Sequence, residues 1–178
     1  MVLVGEIRDK ETAYLAVQAA LTGHVVLSTI HTNSAAGVLP RMLDMGIEPF
    51  LIASTINTVI GQRLVRKLCE KCNQEYDTTE TETKSVIATL GDVLPKTKAE
   101  LDRVKKDVGY DVLPMADQDS YKMYKAVGCK ECTKGYKGRI GIYEVLPITE
   151  KIARLVLEHA PLADIEKEAE AGGMITMK

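Results

Sequence analysis

No apolar run in this chain of 178 residues approaches the ~18 residues that a membrane-crossing helix requires, so no transmembrane segment is expected. Charge of one sign is not in excess either. Lys and Arg total 23 against 25 Asp and Glu, for a net charge of −2 and a pI near 6.0, which argues against a general nucleic-acid binder. Aromatic residues are scarce at 4%, and Tyr136 alone lies among the basic residues near the cysteines, so stacking of bases has little support. The first residues carry neither a basic stretch nor a small-residue cleavage pattern and do not read as a signal peptide. There is no internal repeat. No Gly-Lys dipeptide occurs, so these residues lack the phosphate-cradling G-x-x-x-x-G-K-[ST] loop. What is present is a chain 46% hydrophobic, ample for one core and long enough for one domain, with or without a small appendage.

Residues 1–33 are the densest in information. Met1-Val2-Leu3-Val4 is an unbroken apolar run, as in a strand buried on both faces. It ends at Gly5-Glu6, which places Glu6 at the carboxyl edge of a sheet, where open α/β sheets hold their ligands. Asp9 is suited to cap a helix over roughly 10–21, which Gly23 would end. A second strand, Val25 to Ile30, then ends in His31-Thr32-Asn33. Two neighbouring strands that end in hydrogen-bonding groups at one edge point to a phosphate or metal site. Glu6 there can hold the water shell of Mg²⁺ or orient an attacking water, or it can be a strand-end acid paired with Arg8. Arg8 suits a phosphate, and an ion pair with a nearby acid suits it better. His31 can sense a terminal phosphate or simply hydrogen-bond at a strand end. His24 supports either reading equally, and His159, expected on a surface helix, supports no functional one.

Further along, Ser34 can cap a helix to about Met45, although Pro40 requires that helix to kink or to begin near the proline. Pro49 fits the first turn of a helix over about 49–56, and Val59 to Leu68 reads as a strand. Thr78 to Thr83 is polar and weakly ordered by composition; Ser85–Leu90 and Lys98–Val108 carry helical periodicity; 109–120 reads as a loop. Tyr121–Val127 and Gly138–Leu146 are expected strands, and Glu150–His159 and Leu162–Glu170 amphipathic helices.

The four cysteines form two C-x-x-C pairs, Cys69 with Cys72 and Cys129 with Cys132. Each pair can place two thiolates on one metal, and four give tetrahedral Zn²⁺. The 56 residues between the pairs are no obstacle: closing such a loop costs about 3.5 kcal/mol, against ~10–16 kcal/mol from structural zinc in finger peptides. A redox dithiol needs only one pair, and four free structural thiols are the remaining alternative. Arg63, Arg66, Lys67, Lys71, Lys130, Lys134, Lys137 and Arg139 crowd these cysteines. They can stabilise thiolates, face an acidic partner or anionic lipid, or form an ordinary solvated surface.

VGEIRDKETA followed by TGHVVLSTIHTNSAA resembles the Walker B strand and histidine-containing segment of the type II secretion and type IV pilus assembly ATPases. The resemblance continues through MGIEPFLIASTINTVIGQRLVRKLC (45–69), CKECTKGYKGRIGIYEVLPIT (129–149) and the terminal AGGMITM. It implies an α/β fold: the later part of a RecA-like P-loop ATPase core (1–68), a zinc-binding subdomain (69–148) with a long insert at about 73–120, and the start of a helical C-terminal region (149–178). It implies that Glu6 acts on Mg²⁺ and water, that Gly5, Arg8, His24 and His31 line the nucleotide, and that Cys69, Cys72, Cys129 and Cys132 hold structural zinc. The expected parent is a homohexameric cytoplasmic motor at the inner face of the cell membrane, driving pilin or pseudopilin movement through an inner-membrane platform protein. The chain reads as the middle and later part of that subunit, inactive alone because the family's phosphate loop lies upstream. The tetracysteine set points to assembly or secretion rather than retraction, and the alternative is a zinc-stabilised interaction module that binds no nucleotide. The resemblance leaves open secretion, pilus and competence systems, the cargo and the role of the insert.

Overall fold

The computed structural model describes residues 1–91, 93–108, 114–116 and 118–177, with 107 and 108 described by backbone alone. Its contacts divide the chain into two compact units. One comprises Met1–Arg63 with Gly141–Met177, the other Leu64–Ile140.

The first unit opens with strand β1 (Val2–Val4), helix α1 (Lys10–Leu21) and strand β2 (Val26–Ser28). β1 and β2 pair in parallel, Val2 opposite Val26 and Val4 opposite Ser28. Burial of β1 on both faces is not what the structure shows: Leu3 is 77% exposed while Val2 and Val4 are half-buried. In a pleated strand alternate residues face opposite ways, and in this unit the core covers only the face that carries Val4 and Val26. α1 begins as its sequence suggests, with the Asp9 carboxylate accepting the Thr12 N–H at 2.8 Å. It ends in a paired turn: Gly23 N–H donates to Ala20 O and His24 N–H to Ala19 O, with Gly23 at φ +86°.

Helix α2 spans Val38–Asp44, so Ser34 does not cap a helix that starts beside it. Its hydroxyl instead accepts the Gly37 N–H at 3.2 Å. Pro40 is the third helical residue, where a backbone N–H would have no partner within the helix, so no kink is needed. Pro49 is the first residue of α3 (Pro49–Thr55), as expected. α3 packs on α1, α2 and the later helix formed by Glu150–Leu157. Leu39 and Ile52 are fully buried beside Ala13, Val17 and Met42.

Strand β3 (Thr58–Leu68) leads from the first unit into the second. There β4 (Gln74–Asp77) pairs antiparallel with β5 (Lys122–Lys125), Gln74 opposite Lys125. β4 has no apolar alternation and escapes the sequence reading. Helix α4 (Glu80–Leu90) begins earlier than expected, because the polar stretch before it is a cap. The Thr79 hydroxyl accepts from Glu82 N–H, and Glu82 accepts the Thr79 N–H in return. Thr78 and Thr83 are buried with their hydroxyls 2.7 Å apart. Helix α5 (Lys98–Val108) follows. The loop expected at 109–120 falls partly outside the described residues. Strand β6 (Tyr136–Pro147) pairs with β3 and returns to the first unit.

Helices α6 (Glu150–Leu157) and α7 (Leu162–Ala171) complete the first unit, placing Ile152, Val156 and Ile165 in its core. His159 lies beyond α6 rather than in it, with φ +54°. His159 N–H reaches Val156 O and Ala160 N–H reaches Leu155 O, the same paired ending as α1 but with histidine in the left-handed position.

Candidate functional site

The carboxyl edge of the β1–β2 pair is built by short-range rules. β1 ends at Val4, and its continuation stays bound to the neighbouring strand: Ile7 N–H donates to Thr29 O and the Thr29 hydroxyl to Gly5 O, both at 2.8 Å. These two bonds fix Glu6 between them. Its carboxylate lies 2.5 Å from Arg8 Nη2 and 2.9 Å from His31 Nε2. The Arg8 guanidinium, by hydrogen bond and by charge, holds the Glu6 carboxyl below the usual carboxylate range, with His31 adding a smaller contribution. At neutral pH the group is therefore an anion and a weak base, suited to orienting a cation or water rather than to taking a proton. Glu6, Arg8 and His31 come together at one point, with Gly5 in the adjoining backbone. His24 does not join them. It precedes β2, at the opposite edge, with Nδ1 3.1 Å from Thr22 Oγ1 and 3.3 Å from Ala19 O at the end of α1.

The second constellation lies within Leu64–Ile140. Each C-x-x-C pair folds as a turn: Asn73 N–H donates to Cys69 O at 2.9 Å, and Cys132 N–H to Cys129 O at 3.4 Å. The turns are joined by Cys69 N–H to Gly135 O at 2.8 Å. Gly135 (φ +84°) is obligatory, because a Cβ there would lie 2.6 Å from Ala126 Cβ. All four Sγ atoms fall within 4.8 Å of one another. Sγ–Sγ separations are 3.9 Å for Cys69–Cys129, 3.7 Å for Cys72–Cys132 and 3.6 Å for Cys129–Cys132. A tetrahedron with Zn–S bonds of about 2.3 Å has edges of about 3.8 Å, so the donor set fits zinc in both chemistry and size. None of the four cysteines is disulfide-bonded. Burial pushes the Cys72 thiol up to about 12, while the Cys129 N–H, 3.2 Å from Cys132 Sγ, brings that thiol down to about 7. Several of the surrounding cations are already engaged: Lys71 bonds Glu131 at 2.6 Å, linking the two turns, Lys67 bonds Glu70 at 2.6 Å, and Arg66 stacks on Tyr136 at 3.9 Å.

Two side chains touch the His31 loop that the sequence did not place there, Arg63 having been expected among the basic residues near the cysteines. Arg63 Nη2 donates to Asn33 O at 2.8 Å, and Glu144 accepts the Ala35 N–H. The signal for Glu144 was its phase: it shares the inward side of β6 with Leu146, while Tyr143 and Val145 point out.

Over residues 1–177 the chain matches the family described as Type II/IV secretion system protein. It belongs to that family. It is 38% identical over 179 residues to the type IV pilus assembly ATPase PilB of Myxococcus xanthus, a match that covers 100% of this chain and 27% of that protein. It is 40% identical over 173 residues to PilB of Pseudomonas aeruginosa, covering 97% and 26%. To the type II secretion system ATPase E of Vibrio cholerae it is 41% identical over 172 residues, covering 96% and 29%. The chain thus spans less than a third of the length of the curated relatives it matches. No helix among the described residues is long and apolar enough to cross a membrane.

Proposed function

We propose that this chain is the later part of an ATP-hydrolysing motor subunit that powers type IV pilus assembly or type II protein secretion. The observation that carries the reading is the Glu6 carboxylate, kept ionised by Arg8 and 2.9 Å from His31 at the carboxyl edge of two parallel strands. In this reading residues 1–68 are the later portion of a RecA-like core, 69–148 a zinc-binding subdomain and 149–178 the start of a helical C-terminal region. Glu6 orients the water shell of the nucleotide's cation and the attacking water; Arg8 holds Glu6 in place and charged. Gly5 leaves the backbone open to ligand, since nothing lies within 4 Å of where its Cβ would be. His31, paired with Glu6 at 2.9 Å, registers the terminal phosphate. His24 remains a candidate for the nucleotide's surroundings only through the family resemblance. Bound Mg²⁺ would neutralise charge developing on the transferred phosphoryl group. Zinc, held by Cys69, Cys72, Cys129 and Cys132, has the structural part. A homohexamer acting on an inner-membrane platform protein from the cytoplasmic face completes the proposal. Residues 1–178, lacking a Gly-Lys phosphate loop, are inactive by themselves.

The test is Glu6→Gln in a subunit that includes the phosphate loop. The substitution keeps volume and removes charge. ATP binding and assembly should survive while turnover falls on the order of 10²-fold or more. A lowered melting temperature with turnover per folded molecule unchanged would show that Glu6 merely ties a strand end.

A further inference from the structure

Among the described residues Glu144 is the one buried charged side chain, 4% exposed. An ionised carboxylate is strongly disfavoured in such a place unless donors satisfy it. Its two oxygens take backbone donors from segments remote in sequence: Oε1 accepts the Ala35 N–H, and Oε2 accepts the Met177 N–H at 3.2 Å. Room for the carboxylate comes from Gly61 on β3. A Cβ there would lie 2.7 Å from Glu144 Cγ and 3.1 Å from Met177 Cε. Strand, loop and C-terminal segment therefore meet at one side chain.

The loop in question runs from His31 to the start of α2. The His31 side chain is 88% exposed and its ion-pair partner is Glu6, so packing does little to place it. Its position is set by the backbone on either side: Thr29 before it is bonded to Gly5 and Ile7, and the backbone that follows has fastenings of its own. That backbone is fastened by the Arg63 bond to Asn33 O, by Ser34 Oγ to Glu166 Oε1 at 3.4 Å, and by the buried bond from Ala35 to Glu144. Glu144 alone among these tethers also accepts a bond from Met177.

We propose that Glu144 is a positioning residue for His31, and that it couples the His31 loop to the C-terminal segment through the shared carboxylate. Movement of the loop drags Oε1, and the rigid carboxylate moves Oε2 against Met177. The functional meaning of this coupling rests on the reading of His31 as a phosphate sensor. The coupling itself does not.

The experiment uses this chain, isotope-labelled and without nucleotide. In the unmutated protein, NMR should detect a scalar coupling through the hydrogen bond between the Ala35 amide nitrogen and the Glu144 carboxyl carbon; its absence would overturn the tether. Glu144→Gln sets an NH₂ group against one of the two donors. Amide exchange at Ala35 and Met177 should rise tenfold or more and the His31 ring signals should shift, while Ala16 and Val17 in α1 keep their protection. Uniform acceleration that includes α1, or unmoved His31 signals, would reduce Glu144 to a general structural role. Met177→Pro removes one donor near the chain end and leaves the core intact, so it serves if the Gln variant fails to fold. The Ala35 amide and His31 ring should respond to it; silence at both would overturn the coupling. A failed ATP assay would leave these outcomes standing, and their failure would leave the ATPase reading to the Glu6 test.

Discussion

The two units of this molecule are held together by different means. Met1–Arg63 with Gly141–Met177 closes around aliphatic side chains: Leu39, Ile52, Leu146, Ile152, Val156 and Ile165 are all buried almost completely. Leu64–Ile140 is similar in length to many small domains, yet its buried described residues are Cys69, Thr78, Thr83, Pro95, Ala116, Tyr121 and Gly135. None is a large aliphatic residue. Hydrophobic burial stabilises roughly in proportion to apolar area removed from water, so the described residues of the second unit do not supply a core of that kind. It has capping boxes, a hydroxyl pair, surface ion pairs worth little individually, and four convergent thiols. Small units without sufficient core commonly need a metal or disulfides. The difference singles out the four convergent thiols, proposed to hold zinc, as what the second unit has in place of the aliphatic centre that Ile52 and Leu39 give the first.

Removing zinc should break this comparison most severely. Protein purified without added metal is expected to hold near-equimolar zinc by elemental analysis. A Cys129→Ser variant should lose it and release the amides of 69–140, while α1 and α3 remain protected. Full zinc retention in that variant, or simultaneous melting of both units, would defeat the contrast. The reciprocal change is Ile52→Ala, which leaves a cavity in the first unit and should cost about 2–5 kcal/mol in denaturant unfolding. Zinc content should not change, and a variant that lost zinc would show that the units fold as one. Thr79→Ala removes a cap in the second unit and should cost about 1 kcal/mol, read as faster exchange in the first turn of α4. Three other helices, α1, α2 and α7, are followed by glycines at φ between +80° and +97°, whereas α6 is followed by His159 at +54°. His159→Gly should relieve the left-handed strain and stabilise the first unit by about 0.5–1 kcal/mol; a lower melting temperature would contradict this.

The smallest effect concerns the strand-end acid. The Glu6 carboxyl, lowered chiefly by its hydrogen bond to Arg8, should titrate below the ordinary glutamate value of about 4.3. Because the folded value lies below the unfolded one, its contribution to stability is present above about pH 4.3 and fades as pH falls through the folded value. Arg8→Ala should bring the NMR titration midpoint back up. A midpoint unchanged in that variant would remove Arg8 as the cause.

Much of this was legible in the residues. The Asp9 cap, Pro49 at a helix start, the apolar runs of β1 and β2, and the two C-x-x-C pairs each depend on neighbours within a few positions, where backbone sterics and hydrogen bonding act directly. Of the elements that escaped, one depends on a distant partner and the other is a local cap that composition masked. β4, Gln74–Asp77, is polar and exists because β5 offers it a ladder from residues 122–125. The cap at Thr79 was hidden in a run of polar residues whose composition resembles disorder. In the candidate site the sequence placed Glu6 and His31 at two strand ends, and the parallel register of Val2 with Val26 put them at the same edge.

By itself, then, the sequence determined most of the local elements, the two C-x-x-C pairs and the acid at the end of β1, because period, caps and spacing are properties of a short stretch of chain. Tertiary structure alone decided that His24 stands at the far edge from Glu6, that residues 141–177 return to the unit formed by 1–63, and that Glu144 is buried between Ala35 and Met177. The last of these depends on contacts between residues separated by 33 and 109 positions. Such pairings are set by how whole apolar faces pack, and no local pattern encodes them.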